Sequence, residues 1–277
     1  MVDIHEDCIK LIPTICCWYD LLGYGAPFVE SSWNLRDPKC ITNFQRIDKI
    51  GAWHWGVLSL PFGPRMVLND GMAACMDIPD NLNDVYLFLT YFESIINDYD
   101  HIRGIDQASG YPGVRGVISC GDRYEYEYSD TGISITSSAE RPKTVFYHPR
   151  EFQMNTAFSK AFIIEESGSK AGVSGSNLYV DQNVFSMLDS LLKKCDGSVS
   201  SKTDNDRIVY TLTYNNEWFA TISFFKETVS YNFKGIQTVL LRFDEIHSLP
   251  EELANEAAYL EGRRIAQMEQ DMEDEDY

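Results

Sequence analysis

Two aspartates sit where strand-like segments break into turns, and each has glycine close by. Asp20 lies in "WYDLLGYG", residues 18–25, at the end of an apolar run that starts at Leu11. Asp70 lies in "LNDGMAA", residues 68–74, between two apolar arms. If these segments pair as neighbours in a sheet, both carboxylates come to the same end of it. Two carboxylates there could share Mg²⁺ or Mn²⁺, cations that prefer oxygen ligands. The backbone carbonyl of Leu21 could complete the shell. Ions held this way can activate an attacking hydroxyl and neutralise a leaving phosphate. Gly23 and Gly71 carry no Cβ and would let a triphosphate approach the backbone. Each aspartate also has an ordinary reading: Asp20 as the cap of the turn after its strand, Asp70 as plain hairpin chemistry.

The elements that must position them can be read from periodicity. "KLIPTICCWYD" is short and β-rich, a buried central strand. Residues 39–55 carry Ile41, Phe44, Ile47 and Ile50 at helical spacing. Residues 56–78 hold two apolar arms with Asn69, Asp70 and Gly71 at the bend, a hairpin. Residues 81–100 give the clearest helix, with Val85, Phe88, Phe92, Ile95 and Tyr99 on one stripe. "VRGVISCG" reads as a strand, "AFSKAFIIEESGS" as a helix and "SNLYVD" as a strand. This order predicts an α+β sheet with helices on one face, ferredoxin-like in outline.

After Asp181 the character changes to a β-rich C-terminal extension. A helix ("NVFSMLDSLLKKC") leads to a polar loop, "DGSVSSKTDND", and then to two alternating strands, "RIVYTLTY" and "WFATISFF", joined through Asn215, Asn216 and Glu217. Ser248, Pro250 and Glu251 have the spacing of a helix start. The segment from about Gln267 is acidic and reads as a solvated, disordered tail. The expected division is 1–182, 183–249 and 250–277. "YEYEY", residues 124–128, alternates like an edge strand whose tyrosines could stack on a base.

Composition sets outer bounds. A formal charge of −19 over 277 residues argues against nucleic acid or an anionic membrane as the main partner. No apolar stretch approaches the ~20 residues of a membrane span, and the first residues lack the basic region of a signal peptide. The seven cysteines are scattered without a Cys-x-x-Cys pair, so reduced thiols in a cytoplasmic protein are expected. The five histidines show no ligand spacing, and neither Gly-x-Ser-x-Gly nor His-Glu-x-x-His occurs.

Taken together, these motifs resemble the class III nucleotidyl cyclases. That family's first metal site reads Phe-x-Asp-Ile-x-Gly-Phe-Thr, and "WYDLLGYG" keeps an aromatic, the aspartate, an aliphatic, the glycine and an aromatic. Its second reads Ile-Gly-Asp-Gly-x-Met-Ala, and "LNDGMAA" keeps aliphatic, aspartate and glycine, with Asn69 for glycine. The later strand Val-Arg-x-Gly-Ile-x-x-Gly is similar to "GVRGVISCG". The likeness covers roughly residues 10–182. It is closer to divergent bacterial cyclase-like proteins, a superfamily that includes the pyrimidine cyclases of the Pycsar anti-phage system.

The resemblance implies a reaction in which a nucleoside triphosphate's ribose 3′-hydroxyl attacks its own α-phosphate and expels pyrophosphate. It also implies a homodimer with active sites at the subunit interface. It assigns metal binding to Asp20, Leu21 and Asp70, substrate contacts to Gly23, Arg65 and Gly71, and catalysis to Asn155, Lys160 and Arg115. Two departures stand out. The family's transition-state helix carries Asn-x-Ala-x-Arg, and here Asn155 and Ala157 are followed by Ser159, with Lys160 one place later, about 100° further round a helix. The lysine that reads adenine is absent, with Pro64 and Arg65 in that stretch. A base other than adenine is one consequence; a catalytically silent nucleotide-binding or protein-interaction module is the alternative.

Overall fold

In a computed structural model the described residues are 10–57, 64–125, 132–138 and 141–248. A strand, β1 (Leu11–Leu21), runs through the middle. Two helices follow, α1 (Ala26–Glu30) and α2 (Pro38–Val57), then the hairpin β2 (Arg65–Leu68) and β3 (Gly71–Asp77). The long helix α3 (Val85–Ala108) leads into β4 (Val114–Tyr124). A separate two-stranded sheet, β5 (Gly132–Ser138) and β6 (Arg141–His148), precedes α4 (Thr156–Ser167), β7 (Leu178–Asp181) and α5 (Asn183–Leu192). The described residues close with five strands, β8 (Ser198–Asp204), β9 (Arg207–Tyr214), β10 (Glu217–Phe225), β11 (Val229–Phe233) and β12 (Ile236–Ser248). The expected final helix and acidic tail, like Cys8, Tyr126 and Tyr128, lie outside the described residues.

The main sheet has the order β2-β3-β1-β4-β7-β12-β10-β9-β8, with β11 added to β12. All its pairings are antiparallel except β4 with β7. This is the expected α+β architecture. It is also continuous across residue 182, because Leu240 and Leu241 of β12 pair with Asp181 and Val180 of β7.

The odd residues of β1 (Ile15, Cys17, Tyr19, Leu21) face one core, where α3 and α5 lay down their apolar stripes. The even residues Cys16 and Trp18 face a smaller core against α4. The layer of helices on one face is therefore present, and α4 lies on the opposite face. It reaches close to the sheet there because its inner stripe is small: Ala157, Ala161 and Ile164 are fully buried.

The cysteines correct one expectation. Cys17, Cys40, Cys120 and Cys195 are free and buried, but Cys16 and Cys75 form a disulfide between β1 and β3. They are direct cross-strand partners with Cα atoms 4.3 Å apart. That separation belongs to the close, non-hydrogen-bonded kind of antiparallel pair. Among the described residues no helix is long and apolar enough to cross a membrane.

Candidate active site

The two aspartates meet because β1 lies between β3 and β4. Asp20 pairs with Gly71 on one side and with Arg115 on the other. Opposite residues in an antiparallel ladder share a face, so Asp20 and Arg115 project on the α4 side. The ladder extends into the turn: Leu21 N–H donates to the Asp70 carbonyl at 3.1 Å. The turn itself needs a left-handed residue, and Asn69 supplies it at φ 56°. Its side chain donates to Asp70 Oδ1 at 2.9 Å. After the strand, Gly23 (φ 72°) turns the chain, with Leu22 N–H on the Gly113 carbonyl at 3.0 Å. The Leu21 carbonyl accepts from Tyr24 N–H and keeps a second lone pair.

The electrostatics at this end are unusual. The half-buried Asp20 carboxyl is pushed up to about 7, first by burial, then by the nearby charges of Glu165 and Asp70, against the opposing pull of Arg115 and Arg46. No hydrogen bond reaches its carboxylate among the described residues. A crowded, unpartnered carboxylate beside a second one suits a divalent cation, which would relieve the repulsion. Asp20, Asp70 and the Leu21 carbonyl are the groups that would hold it. No cluster of three or more His, Cys, Asp or Glu side chains is arranged for a metal among the described residues. An ion here would therefore complete its shell with water and substrate oxygens, as Mg²⁺ commonly does.

Glu165 was not legible as part of this site. It sits on α4, four residues after Ala161, on the inner stripe, and Arg115 Nε donates to it at 2.7 Å. Its carboxyl is also raised by burial, with Arg115 opposing. The signal available in the sequence was a carboxylate on an otherwise apolar helical stripe.

The other candidate residues are dispersed. Arg65 pairs in register with Ala74, which faces the α3 core, and its guanidinium binds Asp98 of α3 at 2.6 Å. It thus lies on the face away from Asp20. Asn155 is the N-cap of α4, its side chain accepting from Phe158 N–H at 2.9 Å. It bridges to Arg123, at the far end of β4 from Arg115. Lys160 donates to the Cys120 carbonyl at 3.0 Å, five residues along β4 from Arg115, or about 16 Å at 3.3 Å per residue.

Gly71 has a clear packing role. A Cβ there would lie 2.1 Å from the Trp18 indole. That ring is fixed from the other side by Phe162 and Phe158, at centroid distances of 5.2 and 6.0 Å. Gly71→Ala is therefore expected to destabilise by ~1–3 kcal/mol, the usual cost of overpacking a filled core. Urea unfolding checks this; an unchanged midpoint would mean that the indole swings aside freely.

No family model and no curated protein matches the chain. Solved structures similar to it include the adenylyl cyclase CyaB from P. aeruginosa, with a TM-score of 0.41 and 10% identity over 87% of this chain and 99% of that one. A guanylyl cyclase gives 0.38 and 12% over 86% and 95%. A bacterial light-regulated adenylyl cyclase gives 0.31 and 9% over 76% and 93%. At these values each likeness is slight.

Proposed function

We propose that the chain is a nucleotide cyclase, converting a nucleoside triphosphate to a cyclic mononucleotide and pyrophosphate with Mg²⁺ or Mn²⁺. The observation that carries this reading is the meeting of Asp20 and Asp70 at one sheet end, with the Asp20 carboxylate unpartnered and raised. A divalent ion bound there supplies charge neutralisation for the phosphates and activation of the attacking hydroxyl. The chain's own part is to hold two carboxylates on rigid, paired strands and to place Arg115 beside them. The reading includes a homodimer, in which a second copy adds the transition-state contacts that one chain keeps away from its own aspartates. A pyrimidine base and a role in anti-phage signalling are proposed on the motif resemblance alone.

A silent nucleotide-binding or interaction module is the second reading. What favours it is that Arg115 is already held by Glu165, and that the Trp18 indole fills the space over Gly71. Incubation of the purified protein with each nucleoside triphosphate and Mn²⁺ separates the two. Pyrophosphate with a cyclic product supports the cyclase; binding without product from any of them supports the module.

Metal binding should depend on pH with a definite sign. Without metal, Asp20 keeps its proton until about pH 7, and a cation must displace that proton. Apparent Mn²⁺ affinity should rise with pH, by about tenfold per unit below 7, and level off above it. Titration of the protein with Mn²⁺ at pH 6, 7 and 8, read by electron paramagnetic resonance, tests this. A flat profile would remove Asp20 from the ligand set.

A further inference from the structure

Away from the aspartates, a cleft opens between α4, the end of β7 and the β11–β12 turn. It holds about 350 Å³ and is lined by Lys160, Asp181, Asn183 and residues 235–238. A second hollow of about 460 Å³ adjoins it and shares Asn183, Gln237 and Thr238. Volumes of this size take small molecules.

The cleft contains one cation and one anion that leave each other alone. Asp181 is 1% exposed, and neither it nor Lys160 forms an ion pair among the described residues. The two oxygens of Asp181 are served unequally. Oδ1 accepts from Asn183 N–H at 3.0 Å, Asn183 Nδ2 at 2.9 Å and Thr238 Oγ1 at 2.6 Å. Oδ2 has a single long contact, from Ser119 Oγ at 3.4 Å. Lys160 spends one of its three protons on the Cys120 carbonyl. Both charges therefore keep unused hydrogen-bonding capacity, and a buried carboxylate without a cation is costly.

We infer that this cleft binds a small zwitterion of the α-amino-acid kind, its carboxylate on Lys160 and its ammonium on Asp181 Oδ2. A phosphate ester would meet the Asp181 charge, and a simple cation would meet Lys160. A molecule carrying both signs satisfies both groups at once. The amides of Asn183 and Gln237 and the hydroxyl of Thr238 line the rest and suit a polar ligand. The inference shares Lys160 with the transition-state candidates of the cyclase reading but uses neither Asp20 nor Asp70, and it is tested by binding alone, so its failure and the failure of that reading are distinguishable.

Isothermal titration of the full chain with the twenty L-amino acids is the test, with acetate and methylamine as single-charge controls. At least one amino acid should bind at one site per chain, and neither control should compete with it. Lys160→Met and Asp181→Asn should each weaken that binding at least tenfold. Asp181 also ties down the first turn of α5, so if Asp181→Asn does not fold, the half-buried Lys160 decides. The inference is overturned if no amino acid binds, if Lys160→Met binds as tightly as the parent, or if a single-charge control competes equally.

Discussion

Asp20→Ala and Asp70→Ala are each expected to lower metal-dependent turnover by on the order of 10²–10³ or more, as loss of a transition-state charge contact commonly does. The informative part is what happens to stability. A carboxylate that serves the fold is normally tied by hydrogen bonds or a cation, and its removal costs free energy. The Asp20 carboxylate has no hydrogen bond among the described residues, and it is pushed towards its neutral form by burial and by Glu165 and Asp70. Removing it relieves a repulsion. Asp20→Ala should therefore melt at the same temperature as the parent or slightly above, while losing activity and Mn²⁺ binding together. Strain kept at one place in this way is a mark of a functional group. Wild-type rates in both variants would end the cyclase reading. A drop of several degrees in Asp20→Ala would make Asp20 a structural residue instead.

How far the sequence shows this site depends on the range of the physics involved. Asp20 and Asp70 are legible because both depend on local rules: strand alternation up to Asp20, and turn chemistry around Asn69. The helix α3 is legible for the same reason, since its stripe from Val85 to Tyr99 is buried. The β9–β10 hairpin is announced by Asn215 and Asn216, both left-handed at φ 52° and 63°, as a type I′ turn requires. The β11–β12 hairpin has the same need and meets it with Lys234 and Gly235, at φ 49° and 80°. Lysine is rarely left-handed, so that turn carries no clear sign and β11 and β12 pass unread; β8 reads as a polar loop because residues 200–204 are all exposed on an edge strand.

What is not local is not legible. The face of the sheet that α4 covers is decided by Trp18, Gly71 and the alanines of α4 together, from three distant segments. The Cys16–Cys75 bond spans 59 residues and depends on register, which no spacing rule gives. Glu165 shows only as a carboxylate on an apolar helical stripe, with no sign of its partner until Arg115 is placed beside it. Arg65, in a stretch that invited a substrate contact, is drawn to the other face by its pairing with Ala74 and by Asp98.

The strongest single effect on the fold is expected at Arg46. This residue of α2 is 3% exposed, as is Asp106 of α3. Arg46 donates from Nε to Asp106 Oδ1 at 2.8 Å and from Nη2 to Oδ2 at 2.9 Å, a bidentate pair. The same guanidinium reaches the Leu22 carbonyl at 3.1 Å, and Asp106 Oδ2 accepts from Gly113 N–H at 3.0 Å. Leu22 follows Asp20 by two residues and Gly113 precedes Arg115 by two, so the pair pins the two backbones that leave and enter the site. Arg46→Met would leave the Asp106 charge buried without its cation, which costs roughly 3–5 kcal/mol. The double variant Arg46→Met/Asp106→Leu should recover much of that loss, because an apolar pair of similar volume carries no unpaired charge. Urea unfolding of the three proteins measures the coupling directly. With the pair replaced, the loops around Leu22 and Gly113 lose a shared anchor, and Mn²⁺ affinity should fall even in the stable double variant. A single-variant cost below ~1 kcal/mol, the range of an exposed ion pair, would show that Arg46 and Asp106 are open to water and that the site is anchored by its strands alone.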